Sequence, residues 1–136
     1  MNLRKPLDSA PTWVPVTGHA LRHAGVHFDA VRIGGFLGED VAYRLMAFTD
    51  FQAGPIVRES KGARNLYFLL PPRTAAAYAR PAPARALSGN GRGEAYVGIP
   101  ALHGSTWPMD RRSRPTLDDP FVEPDLLHQF VKSAVR

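Results

Sequence analysis

The stretch GPIVRESKGARNLYFLL, residues 54–70, decides the fold because it has the pattern of two strands joined by a tight turn. Residues 54–59 and residues 65–70 are rich in β-branched, aromatic and other apolar side chains, which favour extended structure. Residues 60–64 (SKGAR) lie between them, and Gly62 supplies the positive φ that a compact turn requires. The segment therefore predicts a β-hairpin.

The residues before this hairpin predict one strand and one helix. HFDAVRI, residues 27–33, alternates between two sets of side chains and predicts a strand with one better-buried face. We expect a helix from Gly38 to about Thr49, with Glu39 and Asp40 in its first turn, where the helix dipole favours acids. Its apolar face comprises Val41, Leu45 and Phe48.

Four more elements follow from capping residues and apolar spacing. Thr17 is placed to cap a short helix over residues 18–24, and Thr74 to cap another that ends at Tyr78. Residues 94–99 predict a strand that Pro100 closes. At the C-terminus, Pro124 occupies a first helical position. The apolar face of that last helix comprises Leu126, Leu127, Phe130, Val131 and Val135.

These elements together predict a mixed α/β, or α+β, domain with an open, mostly antiparallel sheet that helices cover on one face. We expect residues 1–12 to form a loose N-terminal tail and residues 13–136 to form one domain. The Pro- and Gly-rich residues 80–92 predict a surface connection. Residues 111–114 (RRSR) predict a basic loop that is either solvated or in contact with a nucleic-acid backbone or an acidic partner.

Composition restricts the functional classes. The 136 residues include no cysteine, so neither a disulfide nor a thiolate nucleophile is available. No segment has the roughly 18 apolar residues of a membrane span, and the first ten residues lack the apolar run of a signal peptide. We therefore expect a cytoplasmic protein with no membrane partner. The net charge of +5 comes mostly from arginine, which suits forked contacts to phosphate but is also common in GC-rich coding sequences.

Two segments resemble bacterial bifunctional primase-polymerase domains of the archaeo-eukaryotic primase superfamily. In that family a Ser-Gly-rich turn leads into His, an aromatic-rich strand and Pro, and RESKGARNLYFLLPP (residues 58–72) is similar. GRGEAYVGIPALHGSTW (residues 91–107) resembles a second element, a Gly turn followed by Tyr-Val-Val-x-Pro-Pro and then His or Ser near Gly. HFDAVRIGG lies where the family has its metal-binding Asp-x-Asp strand. Over residues 26–110, the resemblance implies a primase-polymerase-like fold.

The departures from this family concern its catalytic groups. Phosphoryl transfer there needs clustered carboxylates that hold divalent metal ions. Here the strand ends in residues 31–33 (VRI), and Asp29 stands alone before them. The family histidine is Asn65, and Glu94 is offset from the position of the third acid. The resemblance thus implies a degenerate, acid-free relative of an actinobacterial type, which is not an enzyme and has neither a metal nor another cofactor.

A binding groove can outlast the loss of catalysis, and we predict one for nucleic acid, a nucleotide or another phosphate-bearing ligand. Backbone amides of residues 60–63 are candidates for an anion nest, and Tyr67 is a candidate platform for a base. The opposing interpretation is that Arg58, Lys61 and Arg64 form a solvated hairpin tip, while Tyr67 and Phe68 divide between core and surface. The predicted ligand-binding residues are Arg58, Ser60, Lys61, Arg64, Asn65, Tyr67, Arg92 and His103.

Three other hypotheses remain open. One is a protein-interaction module or homo-oligomeric accessory factor, with an apolar patch around Trp107, Phe121 or Trp13 and no affinity for nucleic acid. Another is a small enzyme of unrecognised type. The third is a metal site, because His19 and His23 would share one face of a helix over residues 18–24; the opposing interpretation is that these histidines, with the neighbouring His27, lie on the surface.

Overall fold

The structure is a computed structural model that describes residues 11–78, 84–88, 95–116 and 119–135. In chain order, the strands are β1 (His19–His23), β2 (Asp29–Ile33), β3 (Ile56–Glu59), β4 (Leu66–Leu70), β5 (Arg85–Leu87), β6 (Tyr96–Pro100) and β7 (Met109–Ser113). The helices are α1 (Gly35–Phe48), a short 3₁₀ helix (Ala75–Ala77) and α2 (Pro124–Val135).

Five strands form the central sheet in the order β5-β2-β4-β3-β7, and all neighbouring strands are antiparallel. The predicted hairpin is β3 and β4, which pair from Ile56 opposite Phe68 to Arg58 opposite Leu66. Every residue of β4 is buried, because this strand lies in the middle of the sheet and both sheet faces are covered. The predicted α+β class with a mostly antiparallel sheet is confirmed.

Both α-helices pack on one face of this sheet. Side chains at alternate positions of a strand point to the same face, so Leu66, Phe68 and Leu70 of β4 lie in the helix-facing core. That core also holds Val31, Ile33, Val41, Leu45, Ile56, Leu127 and Val131. The C-terminal helix begins at Pro124 as predicted, and the Glu123 carboxylate accepts hydrogen bonds from the N–H groups of Asp125 and Leu126.

A two-stranded ribbon of β1 and β6 covers the opposite face. Tyr67 and Leu69 of β4 point into this second core, where they meet Val97 and Ile99 of β6. The prediction of a helix over residues 18–24 is wrong, because His19–His23 form strand β1. His19 to His23 pair in register with Pro100 to Tyr96, and this pairing outweighs the local helix propensity of Ala and Leu.

Helix α1 begins three residues earlier than predicted, so its first turn contains no acid. Gly34 precedes it in an extended conformation, and the helix then lies directly over the end of β2. A Cβ atom on Gly38 would overlap the carbonyl oxygen of Ile33. Glycine is therefore required inside this helix for close packing, although it is a poor helix former.

Two edge strands were not predicted from the sequence. Residues 80–92 were predicted to form a surface connection, but residues 85–87 of that range form β5, which pairs with β2. Residues 111–114 were predicted to form a basic loop, but Arg111 to Ser113 belong to β7 and pair with β3. An edge strand exposes one side to solvent and tolerates charged side chains, so β7 lacks the apolar pattern of an inner strand.

Candidate ligand-binding surface at the hairpin end

The turn of the β3–β4 hairpin, the loop before β7 and the start of α1 meet at one end of the sheet, which we call the hairpin end. The turn comprises residues 60–64, where Gly62 and Arg64 have φ values of 64° and 53°. The backbone N–H of Glu59 donates to the backbone carbonyl oxygen of Asn65 at 2.9 Å and closes the hairpin. The N–H of Ser60 donates to the oxygen of Pro108 at 2.8 Å, which attaches the turn to the loop before β7.

Arg58 lies beneath this turn and is engaged within the protein. Its Nε and Nη2 atoms donate to the two carboxylate oxygens of Asp110 at 3.1 and 2.8 Å, and its Nη1 atom donates to Glu39 at 3.4 Å. Arg112 donates to the other oxygen of Glu39 at 3.0 Å. The hydrogen bond to Asp110 is the main reason that the pKa of Arg58 is raised. These four residues join α1, β3 and β7 in one ion-pair network.

Replacing Arg58 by glutamine should lower the free energy of unfolding by about 1 kcal/mol, because Asp110 loses both of its guanidinium hydrogen bonds at a partly screened site. Urea denaturation measures this change. The control is Arg44→Gln, which removes a single exposed pair with Asp40 and should cost at most about 0.5 kcal/mol. A loss of ligand affinity without a loss of stability would instead make Arg58 a ligand contact, as the sequence suggested.

Three further predicted residues lie against other protein groups. The Ser60 hydroxyl is 3.4 Å from a carboxylate oxygen of Asp110. The Asn65 amide donates to Glu59 at 3.5 Å. Tyr67 is only 8% exposed, and burial raises the pKa of its hydroxyl. A ring so buried has no face open to a base. The predicted stacking of Tyr67 on a base therefore does not fit its position on β4, which is covered on both faces.

The exposed cations at the hairpin end are Lys61 and Arg64, and the predicted ligand residue His103 is exposed in the loop before β7. Within the described part of the chain, neither Lys61 nor Arg64 forms an ion pair. The Lys61 ammonium lies 5.2 Å from the ring centroid of Trp107, in cation–π geometry, and Trp107 is itself 69% exposed. The predicted ligand residue Arg92 lies outside the described residues.

A shallow cleft of about 210 Å³ separates the hairpin turn from the start of α1. The N-cap residue of α1 is Gly34, which has no side chain to accept a hydrogen bond from the first amides of the helix. The residues that line the cleft are Gly35, Phe36, Glu39, Gly62, Ala63 and Arg64. Phe36 is 95% exposed, so an aromatic ring and the cation of Arg64 border the same opening. Such a cleft suits an anionic group attached to a flat ring.

The remaining sequence hypotheses fall elsewhere. His19 and His23 lie four residues apart on a strand, which places their Cα atoms roughly 13 Å apart rather than one helical turn apart. His23 instead contacts Tyr96, with ring centroids 4.9 Å apart. Among the residues that the structure describes, no three His, Asp or Glu side chains converge as metal ligands would.

The predicted apolar patch divides between two places. The Trp13 ring stacks on Phe121 with centroids 6.5 Å apart and contacts Phe28 at 5.0 Å, so it closes the ribbon-side core. Trp107 lies at the hairpin end beside Lys61. Sequence reasoning also missed the partners of Arg58, because Glu39 and Asp110 lie 19 and 52 residues away in the chain. The pairing of β3 with β7 brings Asp110 opposite Arg58, and the position of α1 brings Glu39 to it.

Comparisons with known proteins add no identification: no family model, curated protein or solved structure matches the chain. The resemblance to primase-polymerase domains therefore stays a prediction. In the described ranges, neither α-helix has the length and apolar character needed to cross a membrane.

Proposed function

We propose that this protein is a cytoplasmic, non-catalytic binding or regulatory protein that holds nucleic acid or another phosphate-bearing ligand at its hairpin end. The observation that carries the proposal is the contrast between its cations. Arg58 and Arg112 are engaged with carboxylates, whereas Lys61 and Arg64 are exposed and have no carboxylate partner among the described residues. Cations without internal partners are available to phosphate groups.

Aromatic exposure supports a single-stranded ligand in particular. Trp107 lies beside Lys61, and Phe36 borders the cleft that Arg64 lines. Surfaces that bind single strands combine basic side chains along the backbone with rings on which bases stack. The non-catalytic part of the proposal rests on the sequence, in which the acid pair of the resembling family is absent from the end of the strand at residues 31–33.

The test is fluorescence anisotropy with a short labelled single-stranded oligonucleotide over a series of salt concentrations. We expect affinity to fall steeply with salt, because binding releases counterions from the phosphates. Reversing both charges, Lys61→Glu with Arg64→Glu, should lower affinity at least about tenfold and reduce the magnitude of the salt slope by about 2.

The matched control reverses two exposed cations on other elements, Arg85→Glu on β5 with Lys132→Glu on α2. Both double variants change the net charge equally, so general attraction weakens equally in each. Equal losses of affinity would show that binding depends on overall charge and not on the hairpin end. No loss in the Lys61 and Arg64 variant would remove the proposed site.

Exposed aromatic side chains on α1 favour a second candidate function, self-association through this helix. Tyr43 and Phe48 are 67% and 69% exposed, and Phe51 just beyond the helix is 72% exposed. Aromatic groups of this kind are enriched at protein interfaces. Sedimentation equilibrium separates the two candidates: a stable dimer that Tyr43→Ser with Phe51→Ser dissociates, together with no oligonucleotide binding, supports self-association.

A further inference from the structure

A polar cleft of about 270 Å³ lies beside the edge strand β7. It shares no lining residue with the cleft between the hairpin turn and α1. One wall is the loop of residues 101–106, and the other comprises Asp110, Arg111 and Arg114. Its lining therefore includes two arginines and, from the loop, His103.

Arg111 is an uncommon arginine because it is enclosed without a carboxylate partner. Its Nη2 atom donates to the backbone oxygen of Pro100 at 2.6 Å. Its Nε atom is inaccessible to solvent and has no hydrogen-bond acceptor within the described residues. Burial and the nearby charge of Arg114 lower the pKa of Arg111 to about 10. A partly buried cation without an anion is less stable than a solvated one, and an entering anion would offset that cost.

Positive charge also dominates the rest of the cleft. Arg114 is exposed and forms no ion pair with any described residue. The one carboxylate in the lining, that of Asp110, accepts hydrogen bonds from Arg58 through both of its oxygens, so its charge is already compensated. Arg112, the residue of β7 that follows Arg111, is paired with Glu39. The uncompensated charges of Arg111 and Arg114 thus lie in this cleft.

We propose that the cleft binds a single phosphate group, held by Arg111 and Arg114. A guanidinium presents a planar set of N–H donors that matches two phosphate oxygens at once. Two such groups with uncompensated charge suit the double negative charge of a phosphate monoester better than the single charge of a carboxylate. The site shares no lining residue with the cleft that Arg64 lines, and it does not depend on the function proposed for the hairpin end.

The phosphate is either inorganic phosphate or the terminal group of a nucleotide, and calorimetric titration distinguishes these sources. Inorganic phosphate, adenosine 5′-monophosphate and adenosine are titrated separately into the wild-type protein at low ionic strength. Binding of the first two with similar affinity, and none of adenosine, supports a site for the phosphate group alone. A clear preference for the monophosphate supports a nucleotide. No binding of either phosphate compound at millimolar concentration overturns the proposal.

Variants locate the site. Arg114→Gln removes an exposed charge without disturbing the core and should weaken phosphate binding about tenfold or more, since hydrogen bonds to charged groups are strong. Arg111→Lys keeps the charge but loses the forked geometry and should also weaken it. The control, Arg85→Gln, removes an exposed arginine from the opposite edge strand and should change affinity by less than about twofold, because solvent screens distant charges. Equal affinities in the wild type and Arg114→Gln would refute the site.

Discussion

Replacing Phe68 by alanine should lower the free energy of unfolding by about 4 kcal/mol, which is the largest effect we expect from one substitution. Phe68 is fully buried on the central strand β4 and belongs to the core between the sheet and the helices. The substitution removes apolar surface from that core and leaves a cavity that neighbouring backbones cannot fill. Urea denaturation followed by far-UV circular dichroism gives the measurement.

Phe36→Ala is the matched control for this prediction, because it makes the same substitution at a side chain that is 95% exposed. We expect its free energy of unfolding to change by no more than about 0.5 kcal/mol. Similar losses in the two variants would contradict the placement of β4 at the centre of the sheet. If Phe36→Ala weakened oligonucleotide binding at unchanged stability, the result would also support the role of the hairpin end.

Replacing Asp29 by alanine should lower the free energy of unfolding by about 3 kcal/mol, since a buried and a partly buried N–H group would both lose their acceptor. Asp29 is fully buried at the start of β2. One of its carboxylate oxygens accepts hydrogen bonds from the N–H groups of Thr74 at 3.0 Å and Ala75 at 2.9 Å. This carboxylate therefore fixes the start of the 3₁₀ helix against the sheet. Equilibrium unfolding in urea measures the loss.

Two companion variants test the structural role of Asp29. Asp29→Asn keeps an acceptor oxygen in place and should cost only about 1 kcal/mol. Asp40→Ala removes a partly exposed carboxylate from α1 and should cost at most about 0.5 kcal/mol. The resemblance predicted from the sequence makes this test informative, because it predicts that residues 27–33 correspond to the metal-binding strand of primase-polymerase domains. Unchanged stability in Asp29→Ala, combined with a loss of bound divalent metal, would make Asp29 a ligand instead.

The sequence predicted the elements whose burial is strongest. The hairpin of β3 and β4 and the C-terminal helix from Pro124 were both expected, because an unbroken apolar run and a clear apolar helix face are local signals. The first strand was predicted as a helix, since His19–His23 contains good helix formers and only its pairing with β6 makes it extended. Strand β7 was missed because an edge strand tolerates charged side chains, so its arginine-rich sequence has the composition of a loop.

The candidate site was predicted as a location but not as a set of contacts. Lys61 and Arg64 lie on the surface at the predicted turn, because a turn between two buried strands must face solvent. Arg58, which the sequence grouped with them, has its charge compensated by Asp110 and Glu39. Such charge compensation arises between residues distant in the chain, so no local sequence pattern predicts it. The same limit applies to the cleft proposed to bind phosphate, since only the fold brings Arg111 and Arg114 to face the loop of residues 101–106.

The two margins of the central sheet also bear on how this protein behaves at high concentration. An unpaired margin invites an extended segment of another molecule to add to the sheet, which is how fibrillar aggregates grow. One edge strand, β5, is only three residues long. The other, β7, carries charged side chains that an added strand would have to desolvate. The short length of β5 and the charges of β7 thus discourage uncontrolled polymerisation.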